Sequence, residues 1–164
     1  MLIRIIIFLI WFSAAIAEEV SGIPKIVDGD TIHINNYKFR LEGIDAPEMK
    51  QKCKKESFKI SYIIGFIFYK DYNCGKISKK RLIAKINGSY IKCISTSKDR
   101  YGRYIATCFK DKINLNQWMV RNGLAIAYRR YSKKYVPDED FAKKNKLGLW
   151  QGKFVNPEKW RKLN

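Results

Sequence analysis

Acidic side chains cluster in two short turns of an otherwise basic chain, and their types suit metal or phosphate chemistry. Asp28 and Asp30 flank a glycine in the first turn, and Asp45 and Glu48 lie in a second turn that follows the next-but-one strand-like run. Aspartates favour turns for local reasons, because their side chains accept hydrogen bonds from nearby backbone amides. This explains one of the first two aspartates but not a second acidic turn, so we predict that Asp30 and Asp45 converge.

Converging carboxylates predict a site for a hard divalent cation. Two carboxylates with backbone carbonyls and water suit Ca²⁺, which accepts irregular shells of oxygen ligands. Because the chain has no compact cage of acids here, we expect a modest affinity. His33 is the only histidine and no Cys-x-x-Cys pair occurs, so a zinc-type site and a histidine general base are both disfavoured.

Two arginines complete a set of residues that can act on a phosphodiester. Arg40 precedes Asp45 by five positions, which on a regular strand would point the two side chains to opposite faces. Both serve one site only if the strand bends, and Gly43 is the obvious place. Arg103 follows a tyrosine-glycine turn. Guanidinium groups and a metal bind the charge of the pentacoordinate state, and Glu48 can take a proton from water.

Length and charge bound the kind of protein. The chain has 164 residues, with 33 Lys plus Arg against 15 Asp plus Glu, a formal net charge of +18. Such a field suggests a polyanionic partner, although part of it can be solvated surface lysine. Residues 1–17 resemble a secretory signal peptide, with an uncleaved membrane anchor as the alternative. We therefore expect an exported protein, secreted or periplasmic, with one domain over 18–164.

Export makes the four cysteines a candidate disulfide set. A hairpin centred between Arg100 and Tyr101 places Cys93 opposite Cys108, and a bridge there contributes roughly 3 kcal/mol in the chain-entropy model. Cys53 and Cys74 remain for each other. Four free thiols are the alternative.

The remaining patterns outline a fold that is α+β and mainly β. Three short strands are expected over 22–45 and two more flank the 99–102 turn, while helices are predicted at 76–86, 113–123 and from Pro137 to a stop at Gly148. This order favours a five-stranded OB-type Greek-key barrel with about three helices. The apolar run 60–69 is too short to span a bilayer and indicates core packing or, alternatively, contact with a membrane surface.

Five segments carry a resemblance to a known family. The segments "VDGDT", "FRLEGIDAPE" and "KDRYGR", followed by "VRNGLAIAYRRYS" and "LGLW", resemble the staphylococcal nuclease (thermonuclease) family. The resemblance runs from about residue 22 to 151 and is loose between 50 and 88. Each motif alone is weak, but their order, the basic charge and the predicted export strengthen the identification.

The resemblance implies a role for each matching residue. Arg40 and Arg103 match catalytic arginines, and Glu48 matches the glutamate usually given as general base. The implied calcium ligands are Asp30, Asp45 and the backbone carbonyl of Ala46, and the implied contacts to the nucleotide are Arg100, Tyr101 and Tyr128. The family fold is the OB barrel, and the implied activity is Ca²⁺-dependent cleavage of DNA and RNA that leaves 3′-phosphate ends.

Two other functions compete with an exported nuclease. A non-catalytic OB-type module binds nucleic acid through a basic groove and aromatic stacking, and needs no metal site. A cationic membrane-active protein would use the run 60–69 and surface lysines, and would need no acidic turns. We expect a monomer without a stable membrane span after signal cleavage, with DNA and RNA as substrates.

Overall fold

The computed structural model describes residues 17–59 and 67–164, and short strands are the most numerous elements of that part of the chain. In chain order they are β1 (Glu18–Gly22), β2 (Lys25–Ile26), β3 (Thr31–Ile34), β4 (Tyr37–Leu41), β5 (Ile44–Asp45), β6 (Cys53–Lys59), β7 (Ile67–Tyr72), β8 (Ile91–Lys98), β9 (Tyr104–Lys110), β10 (Ile113–Asn114), β11 (Ile126–Ala127) and β12 (Gly152–Lys153). The helices are α1 (Cys74–Ile86), α2 (Leu115–Arg121), α3 (Val136–Lys144) and α4 (Pro157–Leu163), with a 3₁₀ helix at Gly148–Gln151.

The main sheet has the strand order β1-β8-β9-β4-β3-β2, with β10 added to β9. The β4–β9 pair is parallel and the other pairs are antiparallel. The sheet curls, since β1 at one edge also contacts β3 near the other. Two small sheets, β11-β5 and β12-β6-β7, complete the strands. A mainly β fold with helices is confirmed, whereas the five-stranded Greek-key barrel stays a prediction.

The core fills the curl of the sheet. Helix α1 has buried side chains at Ser78, Leu82 and Ile86, which are four residues apart and therefore share one helical face. Asn87 ends this helix in the left-handed conformation, as the sequence predicted. The fully buried apolar residues at the centre include Ile32, Ile34, Phe39, Leu41, Leu115, Met119 and Val120.

Both predicted disulfides are present. Cys93 lies opposite Cys108 in the β8–β9 ladder, with a Cα–Cα distance of 4.1 Å. Cys53 and Cys74 form the second bridge, with a Cα–Cα distance of 5.6 Å. The described residues contain no free cysteine, so the alternative of four free thiols is wrong.

Two regions differ from the predicted elements. The expectation of about three helices is wrong, because α4 is a fourth α-helix within the described residues. Strands β6 and β7 pair with each other, and the sequence patterns predicted no hairpin there. Residues 1–16 of the predicted signal peptide and 60–66 of the apolar run lie outside the described residues, while Phe68 of that run is 56% exposed. Among the helices that are described, none has the length and apolarity to cross a membrane.

Candidate active site

The pairing of β3 with β4 brings the first aspartate to the first arginine. Thr31 lies opposite Arg40 in the ladder, and Asp30 directly precedes Thr31. The Asp30 carbonyl also accepts a 2.8 Å hydrogen bond from the amide of Leu41. Asp30 is therefore held beside Arg40, and a guanidinium Nη1 of Arg40 contacts its carboxylate directly.

A bend at Gly43 brings Asp45 to the other prong of the same guanidinium. Gly43 has a φ of +71°, in the left-handed region that favours glycine, and the Tyr135 ring packs close to its backbone. Beyond this turn Asp45 lies 2.9 Å from Nη2 of Arg40, measured at Oδ1. Arg40 and Asp45 therefore share one site because the chain bends at Gly43, as the sequence predicted.

The resulting cluster is buried. Asp30 is 2% exposed and Asp45 is fully buried, and Arg40 pairs with both carboxylates. Burial lowers the pKa of Arg40 below its usual value, and the charge of Arg103 acts in the same direction against the favourable field of Asp45. The charge of Arg103 thus acts on Arg40, although the contacts of its own guanidinium lie within the 99–103 turn. The backbone amide of Ala46 donates a further 2.6 Å hydrogen bond to Asp30.

The loop that carries Glu48 is held in place by contacts with Gly75 and Gln51. The backbone of Gly75 packs so closely that a Cβ there would lie 1.9 Å from the Glu48 carbonyl oxygen. The buried Gln51 accepts a 3.2 Å hydrogen bond from the amide of Glu48 and donates one of 2.7 Å to the carbonyl of Val155. The Glu48 side chain remains 32% exposed, which leaves it accessible to water.

A residue from the C-terminal helix also enters the cluster. Nη1 of Arg161 lies 2.9 Å from Oδ1 of Asp45 and 2.9 Å from Oε1 of Glu48, while Nη2 lies 3.1 Å from Oδ2 of Asp45. Partial burial alone would lower the pKa of Arg161, but its bonds to Asp45 and Glu48 raise that pKa above the usual value. Sequence reasoning missed Arg161, since 116 positions separate it from Asp45.

The second predicted arginine is fixed within its own turn. Asp99 accepts hydrogen bonds from the amides of Tyr101 and Arg103, at 2.9 and 3.0 Å. Its other oxygen lies 2.8 Å from Nε and 2.7 Å from Nη2 of Arg103. Tyr101 is 68% exposed, and the Arg100 guanidinium lies 4.9 Å from its ring centroid. The turn thus presents a cation and an aromatic ring to solvent.

Tyr128 directly follows β11, which pairs with the strand that carries Asp45. Its amide donates a 2.9 Å hydrogen bond to the carbonyl of Gly43. Burial raises the pKa of its hydroxyl, with smaller contributions from the negative charges of Asp45 and Glu158. The predicted substrate residue Tyr128 is therefore a neighbour of the cluster.

A cavity of about 720 Å³ opens beside Tyr128. Its wall combines cations with aromatic rings, and includes Arg129, Arg130, Lys143, Lys153, Trp150 and Phe154. Glu139 and Glu158 in the same wall pair with some of these cations, at Lys143 and Arg130 respectively. The cavity is consequently suited to an anionic ligand with flat rings.

The cluster offers oxygen donors of the type that a divalent cation needs. Within 17–59 and 67–164, no three His, Cys, Asp or Glu side chains form a group that could hold a metal. Asp30 and Asp45 instead offer two carboxylates with the Ala46 backbone between them and Glu48, which is oxygen chemistry suited to Ca²⁺. The residues fit such an ion in type, but Arg40 and Arg161 both contact these carboxylates, and Arg161 alone contacts both oxygens of Asp45. An ion bound to Asp45 therefore requires Arg161 to leave.

Comparison with known proteins gives a family and several relatives. Residues 38–152 match the model of a family described as staphylococcal nuclease homologue. The chain is 34% identical over 141 residues to the succinoglycan biosynthesis protein ExoI of Rhizobium meliloti, which covers 84% of this chain and 68% of that protein.

Other relatives carry nuclease names. An uncharacterized endonuclease of Haemophilus influenzae is 29% identical over 166 residues, covering 96% of this chain and 82% of the relative. A probable staphylococcal-like nuclease, CAN3 of Oryza sativa subsp. japonica, is 28% identical over 138 residues, covering 81% of this chain and 30% of the relative. Both matches span most of the chain.

Proposed function

Because this chain belongs to the staphylococcal nuclease family, we propose that it is an exported, Ca²⁺-dependent nuclease that hydrolyses DNA and RNA with little sequence preference and leaves 3′-phosphate ends. Family membership and the endonuclease-named relatives support a hydrolytic nuclease. The cation, the substrates, the products and the residue roles rest on the sequence motifs and on the site described above.

The observation that carries the proposal is the gathering of unlike charges at one place. Asp30, Arg40, Asp45 and Glu48 come from separate turns and strands, yet they form one connected cluster of ion pairs through Arg40 and Arg161. Burying two carboxylates costs folding free energy unless they are paired, so a fold keeps such a group only with compensation. A metal-assisted phosphodiesterase site accounts for all four residues together.

Each residue has a distinct task in this proposal. Arg40 and Arg103 hold the scissile phosphate, because a guanidinium fork matches two phosphate oxygens. Asp99 orients the Arg103 fork through Nε and Nη2. Glu48, which is partly exposed, takes the proton of the attacking water. Asp30, Asp45 and the Ala46 carbonyl would hold Ca²⁺, which supplies positive charge against the developing negative charge of the phosphate.

The substrate path follows the basic and aromatic residues on either side of the cluster. Arg100 and Tyr101 lie on the Arg103 turn, and Tyr128 leads to the cavity of about 720 Å³. Aromatic rings stack on any base, and cations follow any backbone, so this surface favours single strands without sequence readout. The formal charge of +18 supports a polyanionic substrate.

Export and a monomeric state complete the proposal. Disulfides persist in oxidising compartments, and the two bridges here are compatible with an exported protein. The OB-type barrel is proposed on the same basis as the residue roles. A monomer is the simplest state for a single small domain.

The test is digestion of single- and double-stranded DNA and RNA by the mature chain, with Ca²⁺ and with a chelator. We expect cleavage only with Ca²⁺, and Glu48→Gln to lower turnover by about 10²–10⁴-fold while DNA binding survives. Glu42→Gln is the matched control, since Glu42 is an exposed acid on the neighbouring turn that contacts Thr107.

The outcomes also separate the competing functions. Binding without cleavage by the unmodified chain would favour the non-catalytic OB-type module. Cleavage that persists with the chelator would contradict the proposed cation site. Loss of binding in Glu48→Gln with normal turnover of the bound fraction would contradict the role of Glu48.

A further inference from the structure

The C-terminal helix α4 contacts the candidate cation site, although it lies outside the residues that match the family. The match ends at residue 152, whereas α4 spans Pro157–Leu163. The nuclease roles proposed above leave this helix without a task. Pro157 at its start is buried, and Arg161 near its end reaches the carboxylates of Asp45 and Glu48.

Arg161 occupies the oxygens that a cation would need. Its two terminal nitrogens contact both oxygens of Asp45, at 2.9 and 3.1 Å, and Nη1 also lies 2.9 Å from Glu48. Asp45 is fully buried, so its carboxylate has few other directions in which to accept a ligand. A bidentate arginine fork is among the stronger ways to satisfy a carboxylate.

Charge balance makes Arg161 and a divalent cation alternative partners. The cluster holds the three carboxylates of Asp30, Asp45 and Glu48 and the single positive charge of Arg40. A divalent cation alone would balance this set, whereas a divalent cation together with Arg161 would leave an excess of positive charge. Arg161 alone leaves the set one positive charge short. Arg161 and a divalent cation at the same Asp45 oxygens would be adjacent like charges. Such charges repel strongly in a partly buried site, so one partner excludes the other.

Apart from the Arg161 pairs and the buried Pro157 at its start, helix α4 is held by exposed contacts. Arg130 pairs with Glu158 at 3.2 Å, with the arginine side chain 65% exposed, and exposed pairs of this kind are worth about 0–1 kcal/mol. The helix has seven residues and ends with Leu163 68% exposed. The Arg161 side chain is itself 34% exposed. Withdrawal of Arg161 therefore needs no opening of the core.

From this geometry we propose that Arg161 is a resident competitor of the divalent cation and sets the concentration at which the site fills. The inference rests on the proposed function, in which Asp45 is a cation ligand. A ligand that binds only the open form has an affinity reduced by the fraction of molecules that are open. Cation binding and release of α4 are then coupled, and each promotes the other. Release also returns the Glu48 carboxylate to water.

Calorimetric titration of Ca²⁺ into the catalytically idle protein, without nucleic acid, tests this competition. We expect Arg161→Gln to bind Ca²⁺ about tenfold more tightly than the unmodified chain. This factor corresponds to a site that Arg161 closes in about nine molecules in ten, because the apparent affinity falls with the fraction of open molecules. Arg161→Lys should fall between the two, because an ammonium keeps the charge but loses the fork.

Lys159→Gln is the matched control on the same helix. Lys159 is exposed, and its removal changes the net charge by the same amount without touching Asp45 or Glu48. We expect its Ca²⁺ affinity to stay within about twofold of the unmodified chain, because solvent and salt screen a distant exposed charge. Equal tightening by Lys159→Gln and Arg161→Gln would overturn the proposal, since net charge alone would then explain both.

Hydrogen exchange supplies a second readout that does not depend on activity. Saturating Ca²⁺ should speed exchange of the α4 amides in the unmodified chain and leave them unchanged in Arg161→Gln. Ca²⁺ binding of equal affinity in both chains, with no change in α4, would overturn the competition while leaving the cation site intact. Absence of Ca²⁺ binding in every variant would overturn the cation site of the proposed function as well.

Discussion

The Arg40 cluster and the turn 99–103 each present a guanidinium, but they are built in opposite ways. Arg40 is 15% exposed and contacts Asp30 and Asp45, which reach it from separate elements. Arg103 is 29% exposed and pairs with Asp99, four positions earlier in the same turn. The first arrangement depends on the whole fold, whereas the second needs only a hairpin. The difference predicts that changes in the cluster reduce stability as well as activity, whereas those in the turn act mainly on activity.

Among these changes, Arg40→Ala should have the largest effect on the free energy of unfolding. The change leaves two buried carboxylates without their shared guanidinium, and removal of one partner of a buried ion pair costs about 3–5 kcal/mol. Urea denaturation should show this loss in the free energy of unfolding. Arg103→Ala is the control and should lose no more than about 1 kcal/mol. Equal losses would mean that the two arginines are held alike.

The next largest effect is expected from the bridge that fixes the hairpin. Replacing Cys93 and Cys108 by alanine removes a link across 15 positions, which the chain-entropy model values at about 3 kcal/mol. Hydrogen exchange should then rise in β8 and β9 and in the turn between them. Protection around Asp30 and Asp45 should change less. A uniform rise in exchange would show that the two regions unfold as one unit.

Arg103→Lys sharpens the functional side of the comparison. We expect the free energy of unfolding to change by less than about 1 kcal/mol, because the pair with Asp99 is partly exposed. Turnover of DNA should fall about 100-fold, since an ammonium cannot replace a two-pronged donor at the phosphate. Arg100→Lys serves as the control for charge in the same turn, and an equal loss of turnover there would contradict a special role for Arg103.

The smallest expected effect is the pH dependence of stability that Asp99 contributes. Burial by itself raises the pKa of Asp99, but hydrogen bonds from Arg103 and Tyr101 bring that pKa below its usual value. Such a carboxyl stabilises the fold above its unfolded pKa of about 3.9 and loses this contribution as the pH falls through the lower folded value. Asp99→Asn should therefore melt below the unmodified chain at neutral pH, and the gap should close below about pH 4. Melting curves across that range would reveal a constant gap if the carboxylate plays no such role.

Local chemistry made part of the molecule predictable. The 99–102 turn predicted a hairpin with Cys93 opposite Cys108, and the ladder contains that pair. The register at the turn itself differs by one residue, because Lys98 lies opposite Tyr104, and an irregularity between Ser95 and Ser97 restores the predicted pairing. The predicted end of α1 at Asn87 is also present. Turn residues and helix-ending residues both act on the backbone within a few positions, so the sequence shows their effects directly. The convergence of Asp45 with Arg40 followed from one local condition, a bend at Gly43, which the structure contains.

Features joined across long sequence distances were not predictable. Arg161 meets Asp45 across 116 positions, and no periodicity in a sequence reports such a pairing. A weaker signal for α4 was present, because Asn156 caps the helix and Pro157 opens it. That signal could have predicted the helix but not its docking. Gln51, which joins the Glu48 loop to Val155, escaped notice because a buried amide has no motif of its own.

A cell that makes a nuclease exposes its own chromosome to the enzyme before any other substrate. The Cys53–Cys74 bridge lies beside Gly75, against which the backbone of Glu48 rests. In a reducing cytosol these thiols stay apart, and the segment bearing Glu48 then lacks its covalent tether. In the proposed exported nuclease, the oxidation that completes the fold would also complete the site, so the newly made chain would be less active in the cytosol than outside it.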